Sequence, residues 1–448
     1  MIAMSLAEIA AVVGGQAHGD AHVTAPASLD SRAVEPGGLF VALAGEQVDG
    51  HDYVGPAIAA GAAAALTSRQ VDDAPAVVVD DVTVALGLLA RHVLDQVGPT
   101  VIAITGSQGK TGVKDMLAQL LMNAAPTVAT AGNLNNELGV PLTLLRMDES
   151  TRFLVVEMGA RGIGHIARLC EIAPPDIAIV LNVGRAHLGE FGSVENIATA
   201  KGELVEALRP GGTAVLNADD AMVVPMAERT PGRVVWFGRQ ARRMEDVEIV
   251  DVAMTPSGEP DVTLAWNDEV DTFHVPLLGE HQAANLAAAL CTVHALGLVD
   301  STLPLADLDS ASPMRMERHV RPDGLVVVDD SYNANPDSMA AALHALAGLG
   351  EGRRVAVLGE MLELGGGSLD AHVDVGRLAA ELGVDRVVAV GAGAAGIAEG
   401  AGERGTAVAD VDEAVRVLSA WLTPTDVVLV KASRSVRLER VTEALLDR

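Results

Sequence analysis

The stretch 101-VIAITGSQGKTGVKDMLAQLL-121 decides how the chain is read. An apolar run from Val101 to Thr105 breaks into Gly-Ser-Gln-Gly-Lys-Thr. A segment with apolar Val113, Met116, Leu117, Leu120 and Leu121 follows. This spacing predicts a strand, a glycine turn and an amphipathic helix. Gly106, Ser107, Gln108 and Gly109 form a shortened phosphate loop, with the two glycines three positions apart. Glycine lets backbone N–H groups approach phosphate oxygens, and the helix N-terminus adds partial positive charge. Lys110 would offset β/γ-phosphate charge, and Thr111 would bind Mg²⁺. An ordinary glycine-rich turn is the alternative. The coincidence of strand, Gly-Lys-Thr and helix favours phosphate.

Working outward, further apolar runs end in polar residues: FLVVEMGA (153–160), DIAIVLNVG (176–184) and TAVLNADD (213–220). Continuous apolar strands separated by helices predict a parallel sheet covered on both faces. Ligands bind beyond the carboxyl ends of such strands. Glu157 and His187 follow two of these runs, and a carboxylate with an imidazole beside a nucleotide suggests a metal site. Taken singly, such a His is more often a packing or capping residue. A second strand–helix series begins near Gly324. There Asp329, Asp330, Ser331, Asn333 and Asn335 crowd one loop, and Lys431 and Arg434 close the last strand as a cationic cluster. A helix cap and a solvated strand end are the plain alternatives.

The chain has 448 residues, more than one hydrophobic core usually organises, so two or three domains are expected. Its net charge of −29 makes nucleic acid and anionic lipid poor partners. Cys170 and Cys291 lie in apolar surroundings and read as buried free thiols. The N-terminus lacks a basic stretch and carries Glu8, against a signal peptide. No run has membrane-span character, so a soluble cytoplasmic protein is expected. Only four of the 31 basic residues are lysines: Lys110, Lys114, Lys201 and Lys431. Arg supplies charge elsewhere, so a retained Lys points to chemistry that Arg cannot perform. Lys201 is either a solvated helix residue or an amine able to take up CO₂ as a carbamate and become an anionic Mg²⁺ ligand.

Together these motifs resemble the Mur ligases, the ATP-dependent amide-forming enzymes of peptidoglycan precursor synthesis. The likeness runs through DSRAVEPGGLFVAL, DGHDYV, TGSQGKT, GNLNNELGVPLTLL, VVEMGARGIGHI, NVGRAHLGEFGSVENIATAKGEL, LLGEHQAANLAAAL, DDSYNANPDSM, VLGEMLELG and VKASRS. GNLNNELGVP together with DDSYNANP implies the member that adds D-alanyl-D-alanine to UDP-N-acetylmuramoyl-tripeptide. The resemblance implies three α/β domains. Residues 1–80 would be a small domain holding the uridine nucleotide end of the substrate, with Ser31 and Arg32 in the matching motif. Residues 81–312 would be a central phosphate-loop, parallel-sheet ATPase domain, and 313–448 a C-terminal Rossmann-like domain. It also implies Asn136 near the phosphates, Asn285 against adenine, and Arg315 and Asp330 closing on the nucleotide. Glu157, His187 and a carbamylated Lys201 would hold two Mg²⁺ ions. Asn333, Lys431, Ser433 and Arg434 would face the dipeptide and the reacting carboxylate. A monomer is implied.

Three positions depart from the family pattern: Gly112 where a hydroxyl residue is common, Gln282 for Asn, and Ala432 for Gly. Two rival classes stay open on sequence alone: an amide ligase with another acceptor, and a regulatory nucleotide-binding protein without ligase chemistry. The joint presence of Glu157, His187 and Lys201 weighs against the second.

Overall fold

Three α/β domains follow one another along the chain, each built on its own large sheet. The structure, a computed structural model, describes residues 1–45, 48–184, 188–298, 308–309, 311–350 and 352–447. The first sheet has five strands in the spatial order Gln16–His18, Ala76–Val78, Ala64–Thr67, Leu39–Val41 and Ala27–Ser28. Its DGHD loop is braced by His51, whose Nδ1 lies 2.6 Å from Asp49 Oδ1 and whose Nε2 accepts the Ser68 N–H at 3.0 Å. The helix Val82–Val97 leads out of this domain. Asp81 caps it by accepting the N–H groups of Thr83 and Val84. Its buried stripe of Leu86, Leu89, Ala90 and Val93 belongs to a core shared with Val101 and Ala103 of the next domain.

The central sheet has nine strands. Thr127–Ala129, Phe153–Glu157, Thr100–Thr105, Ile177–Val180, Thr213–Asn217 and Arg233–Gly238 run parallel in that spatial order. Their interiors are largely buried, as expected for a sheet covered on both faces. The far end adds an antiparallel edge to these parallel strands. Val247–Met254, Pro260–Trp266 and Glu269–His274 form an antiparallel meander. Asn267 and Asp268, both at positive φ (46° and 65°), make its tight two-residue turn. Strand Pro260–Trp266 alternates buried and half-exposed residues because only one of its faces meets the core.

The third sheet runs Glu317–Val320, Val326–Asp329, Val427–Lys431, Arg354–Gly359, Arg386–Val390, Gly405–Val408, and all but its first pairing are parallel. Central and C-terminal domains meet directly. Leu278 packs into the C-terminal core, and Gly189 N–H donates to Glu363 O at 3.2 Å. A Cβ on Gly189 would stand 3.0 Å from both Glu363 O and Gly365 N. No helix among the described residues is long and apolar enough to cross a membrane.

Candidate active site

The strand Thr100–Thr105 delivers the phosphate loop to the carboxyl edge of the central sheet, and the helix Lys110–Met122 starts immediately after it. Gly109 has φ 81°, a left-handed conformation that a residue with a Cβ adopts only at a cost. The helix is anchored by Val113, Met116, Leu117, Leu120 and Leu121, all buried in one core with Ile102 and Ile104. The loop itself is held by a residue absent from the motif reading. Asn182, just past the strand Ile177–Val180, accepts the N–H groups of Ser107 and Gln108 at 3.0 Å each and donates to Gln108 O at 3.1 Å. Lys110 folds back on its own loop, donating to Gly106 O at 2.7 Å. Burial lowers its ammonium below the usual lysine range; Glu157 opposes that shift and Arg315 adds to it.

Glu157 ends its strand buried beside the loop. Its two oxygens accept from Thr111 Oγ1 at 2.9 Å and from Asn135 Nδ2 at 2.8 Å. Asn136 lines the same cavity, but its side-chain oxygen caps the N–H of Gly139 at 2.9 Å. Lys201, on the helix Val194–Glu206, is 6 % exposed and has no hydrogen-bond or ion-pair partner among the described residues. Burial, and then the charge of Lys110, holds its ammonium well below the ordinary range. The fourth lysine is structural. Lys114 Nζ donates to Thr130 O at 2.9 Å and pairs with Asp115 at 2.6 Å.

Residues of the C-terminal domain complete the wall. Lys431 Nζ lies 2.6 Å from Asp330 Oδ2 and 2.8 Å from Asn333 O, in a buried pair. Arg315 stacks 4.0 Å above the Tyr332 ring. Ser433 Oγ accepts the Leu362 N–H at 3.0 Å, and Arg434 pairs with Glu439 at 2.8 Å. All these side chains except Glu439, with the phosphate loop, Asn285 and Lys201, line one cavity of about 920 Å³ between the two domains. The phosphate-loop residues and Asp330 thus already face a common space.

Ser31 and Arg32 stand apart in the first domain. Arg32 is 87 % exposed along its side chain and pairs with Asp30 at 2.8 Å. His187 lies outside the described residues. Among the described residues no group of three or more His, Cys, Asp or Glu side chains converges as a metal cluster. Thr111 and Glu157 nevertheless bring a hydroxyl and a carboxylate oxygen within hydrogen-bonding distance at the loop, a hard-oxygen pair that fits Mg²⁺.

Two of the departures have local reasons. Asn285 Nδ2 donates to Gln282 Oε1 at 2.9 Å, and a Cβ on residue 112 would stand 3.0 Å from that Nδ2, so Gly112 makes room for the pair. Ala432 fits because it faces Gly359, where an added Cβ would come within 2.7 Å of it.

Comparisons with known proteins match most of the chain. The Mur ligase middle domain matches residues 104–293, the Mur ligase glutamate ligase domain residues 314–434, and the Mur ligase family catalytic domain residues 27–94. The UDP-N-acetylmuramoyl-tripeptide–D-alanyl-D-alanine ligase of Mycobacterium bovis is 42 % identical over 100 % of this chain and 98 % of its own length. The crystal structure of MurF from Acinetobacter baumannii superposes with a TM-score of 0.89 at 32 % identity, covering 100 % of this chain and 99 % of its own. MurF ligase from Thermotoga maritima, in complex with ADP, gives 0.81 at 33 % identity over 95 % and 98 %.

Proposed function

The chain belongs to the Mur ligase family, and we propose that it joins D-alanyl-D-alanine to the terminal carboxylate of UDP-N-acetylmuramoyl-tripeptide with consumption of ATP. One observation carries the reading: a phosphate loop and a buried Lys–Asp pair from another domain line a single cavity. A free carboxylate is a poor electrophile because its leaving group would be oxide. Transfer of the γ-phosphoryl group to it gives an acyl phosphate, whose leaving group is phosphate. The neutral dipeptide amine then attacks the carbonyl carbon, its nitrogen gives up one proton to solvent, and the tetrahedral intermediate expels phosphate to leave the amide.

The chain's own groups serve these steps. The loop N–H groups and Lys110 take up the phosphates and offset charge in phosphoryl transfer. Asn285 is assigned to adenine, Asn136 to the phosphates, and Arg315 and Asp330 to the nucleotide from the opposite domain. Thr111 and Glu157 would hold Mg²⁺, with His187 and a Lys201 carbamate completing two sites; the ions supply further charge neutralisation on the phosphates. Lys431, Asn333, Ser433 and Arg434 face the dipeptide and the reacting carboxylate. Ser31 and Arg32 receive the uridine nucleotide end. We assign residues 1–80, 81–312 and 313–448 to the three domains and expect a cytoplasmic monomer.

ADP release with UDP-muramoyl-tripeptide tests this, with D-alanyl-D-alanine or single amino acids as the amine. Turnover only with the dipeptide is expected. Turnover with a single amino acid, or ADP release independent of acceptor, would remove the assignment.

A further inference from the structure

The cavity has a second wall that the phosphate chemistry does not use. Arg161, His165 and Arg168 all line it, on the loop and first turn that follow Glu157. All three are exposed, and neither guanidinium has a hydrogen-bond or ion-pair partner among the described residues. That is unusual in a chain with 60 acidic and 31 basic residues, where arginines such as Arg32, Arg209, Arg353 and Arg440 sit on nearby carboxylates. The helix N-terminus here is already occupied. Glu203 accepts the N–H of Gly164 at 2.5 Å and of Ala167 at 3.0 Å. Its charge therefore answers the backbone and leaves the guanidiniums free. Glu203 stands two residues beyond Lys201 on the same helix, so the helix that carries Lys201 also fixes the position of this wall.

We propose that Arg161 and Arg168 bind the two non-reacting carboxylates of the peptide stem, and so select a third residue that carries a second carboxylate, of the diaminopimelate type, over lysine. The proposal rests on the ligase reading above. A tripeptide of that type presents one free carboxylate at its glutamyl residue and one at the far end of its third residue. Two unpaired guanidiniums in a partly enclosed cavity match them by paired, charge-assisted hydrogen bonds. The diaminopimelate end carries that carboxylate beside its own ammonium and is neutral overall, whereas a lysine stem has the ammonium alone, which gives a guanidinium nothing to bind and repels it.

The experiment compares UDP-muramoyl-tripeptides ending in diaminopimelate or lysine, for the wild-type chain and for Arg161→Ala, Arg168→Ala and the double variant. Wild type is expected to favour the diaminopimelate substrate in kcat/KM by about tenfold or more. Each single variant should raise KM for that substrate by a similar factor, and the double variant should bring the two substrates together. KM for ATP should not move, which separates lost peptide binding from misfolding, and Arg168→Lys should recover part of the loss. Equal use of both tripeptides by wild type, or a preference that survives in the double variant, would overturn the proposal and leave the ligase reading standing. No turnover of either tripeptide by wild type would overturn both.

Discussion

Among the described residues Lys201 is an amine without a counter-charge, and that decides what it can become. A neutral, buried amine reacts with CO₂ to give an anion; an ammonium does not. Because burial depresses its pKa, the neutral form persists to lower pH than for an ordinary lysine. As pH falls through that depressed value the amine protonates, so carbamate and activity should be lost together on the acid side. With ¹³CO₂, carbon NMR should show a carbamate in wild type that is missing from Lys201→Ala and Lys201→Arg. Both variants should lose about a hundredfold or more in kcat, with partial recovery by acetate for the alanine form. A wild-type spectrum without the adduct would dispose of the carbamate. Gly112 makes a second residue-scale case. Gly112→Thr pushes a side chain toward Asn285 Nδ2, 3.0 Å from the new Cβ, and should raise KM for ATP several-fold while sparing KM for the tripeptide. The motifs pointed to Lys110, Thr111, Glu157 and Lys201 because the chemistry proposed for them demands particular residue types, and all four line the cavity. They did not reveal Asn182, because an Asn that holds a loop's N–H groups looks like any Asn after a strand.

Strands Arg354–Gly359 and Val427–Lys431 lie side by side, and a polar clasp sits at their start. Arg353 donates twice to Asp426, at 3.0 and 2.7 Å, and Thr423 N–H donates to the same carboxylate at 2.7 Å. Burial pushes the Asp426 carboxyl up, but the Arg353 and Thr423 hydrogen bonds outweigh it, and the net value lies below the ordinary 3.8. A carboxyl with a depressed folded-state pKa stabilises the fold above its unfolded value and loses that contribution as pH falls through the folded one. Asp426→Asn should therefore cost about 2 kcal/mol near neutrality. Against wild type, the difference should shrink once pH drops below about 4. Thermal unfolding at several pH values checks this; a pH-independent difference would refute it. Elements of this kind were largely legible. The apolar runs marked the strands, and the spacing of Val113, Met116, Leu117, Leu120 and Leu121 marked the helix Lys110–Met122. The antiparallel meander was not read from its Asn267-Asp268 pair, whose turn depends on two positive φ angles.

At the scale of the molecule, the order of domains followed from the motifs, but their mutual approach did not. It depends on glycines whose missing Cβ atoms matter only across an interface. Gly189→Ala places a methyl group 3.0 Å from Glu363 O and Gly365 N, so the central and C-terminal domains must give way there by a few tenths of an ångström. kcat should fall about tenfold while ADP affinity at the phosphate loop is unchanged. Full activity would mean that the contact is incidental.

The placement of the lysines has a further consequence for handling the molecule. Lys114, Lys201 and Lys431 are buried, and Lys110 is half-buried at the phosphate loop. The native surface therefore offers amine-selective acylating reagents almost nothing except what enters through the cavity. Labelling stoichiometry becomes a direct gauge of whether that cavity is filled: bound nucleotide should protect Lys110, and unfolding should release all four side chains at once.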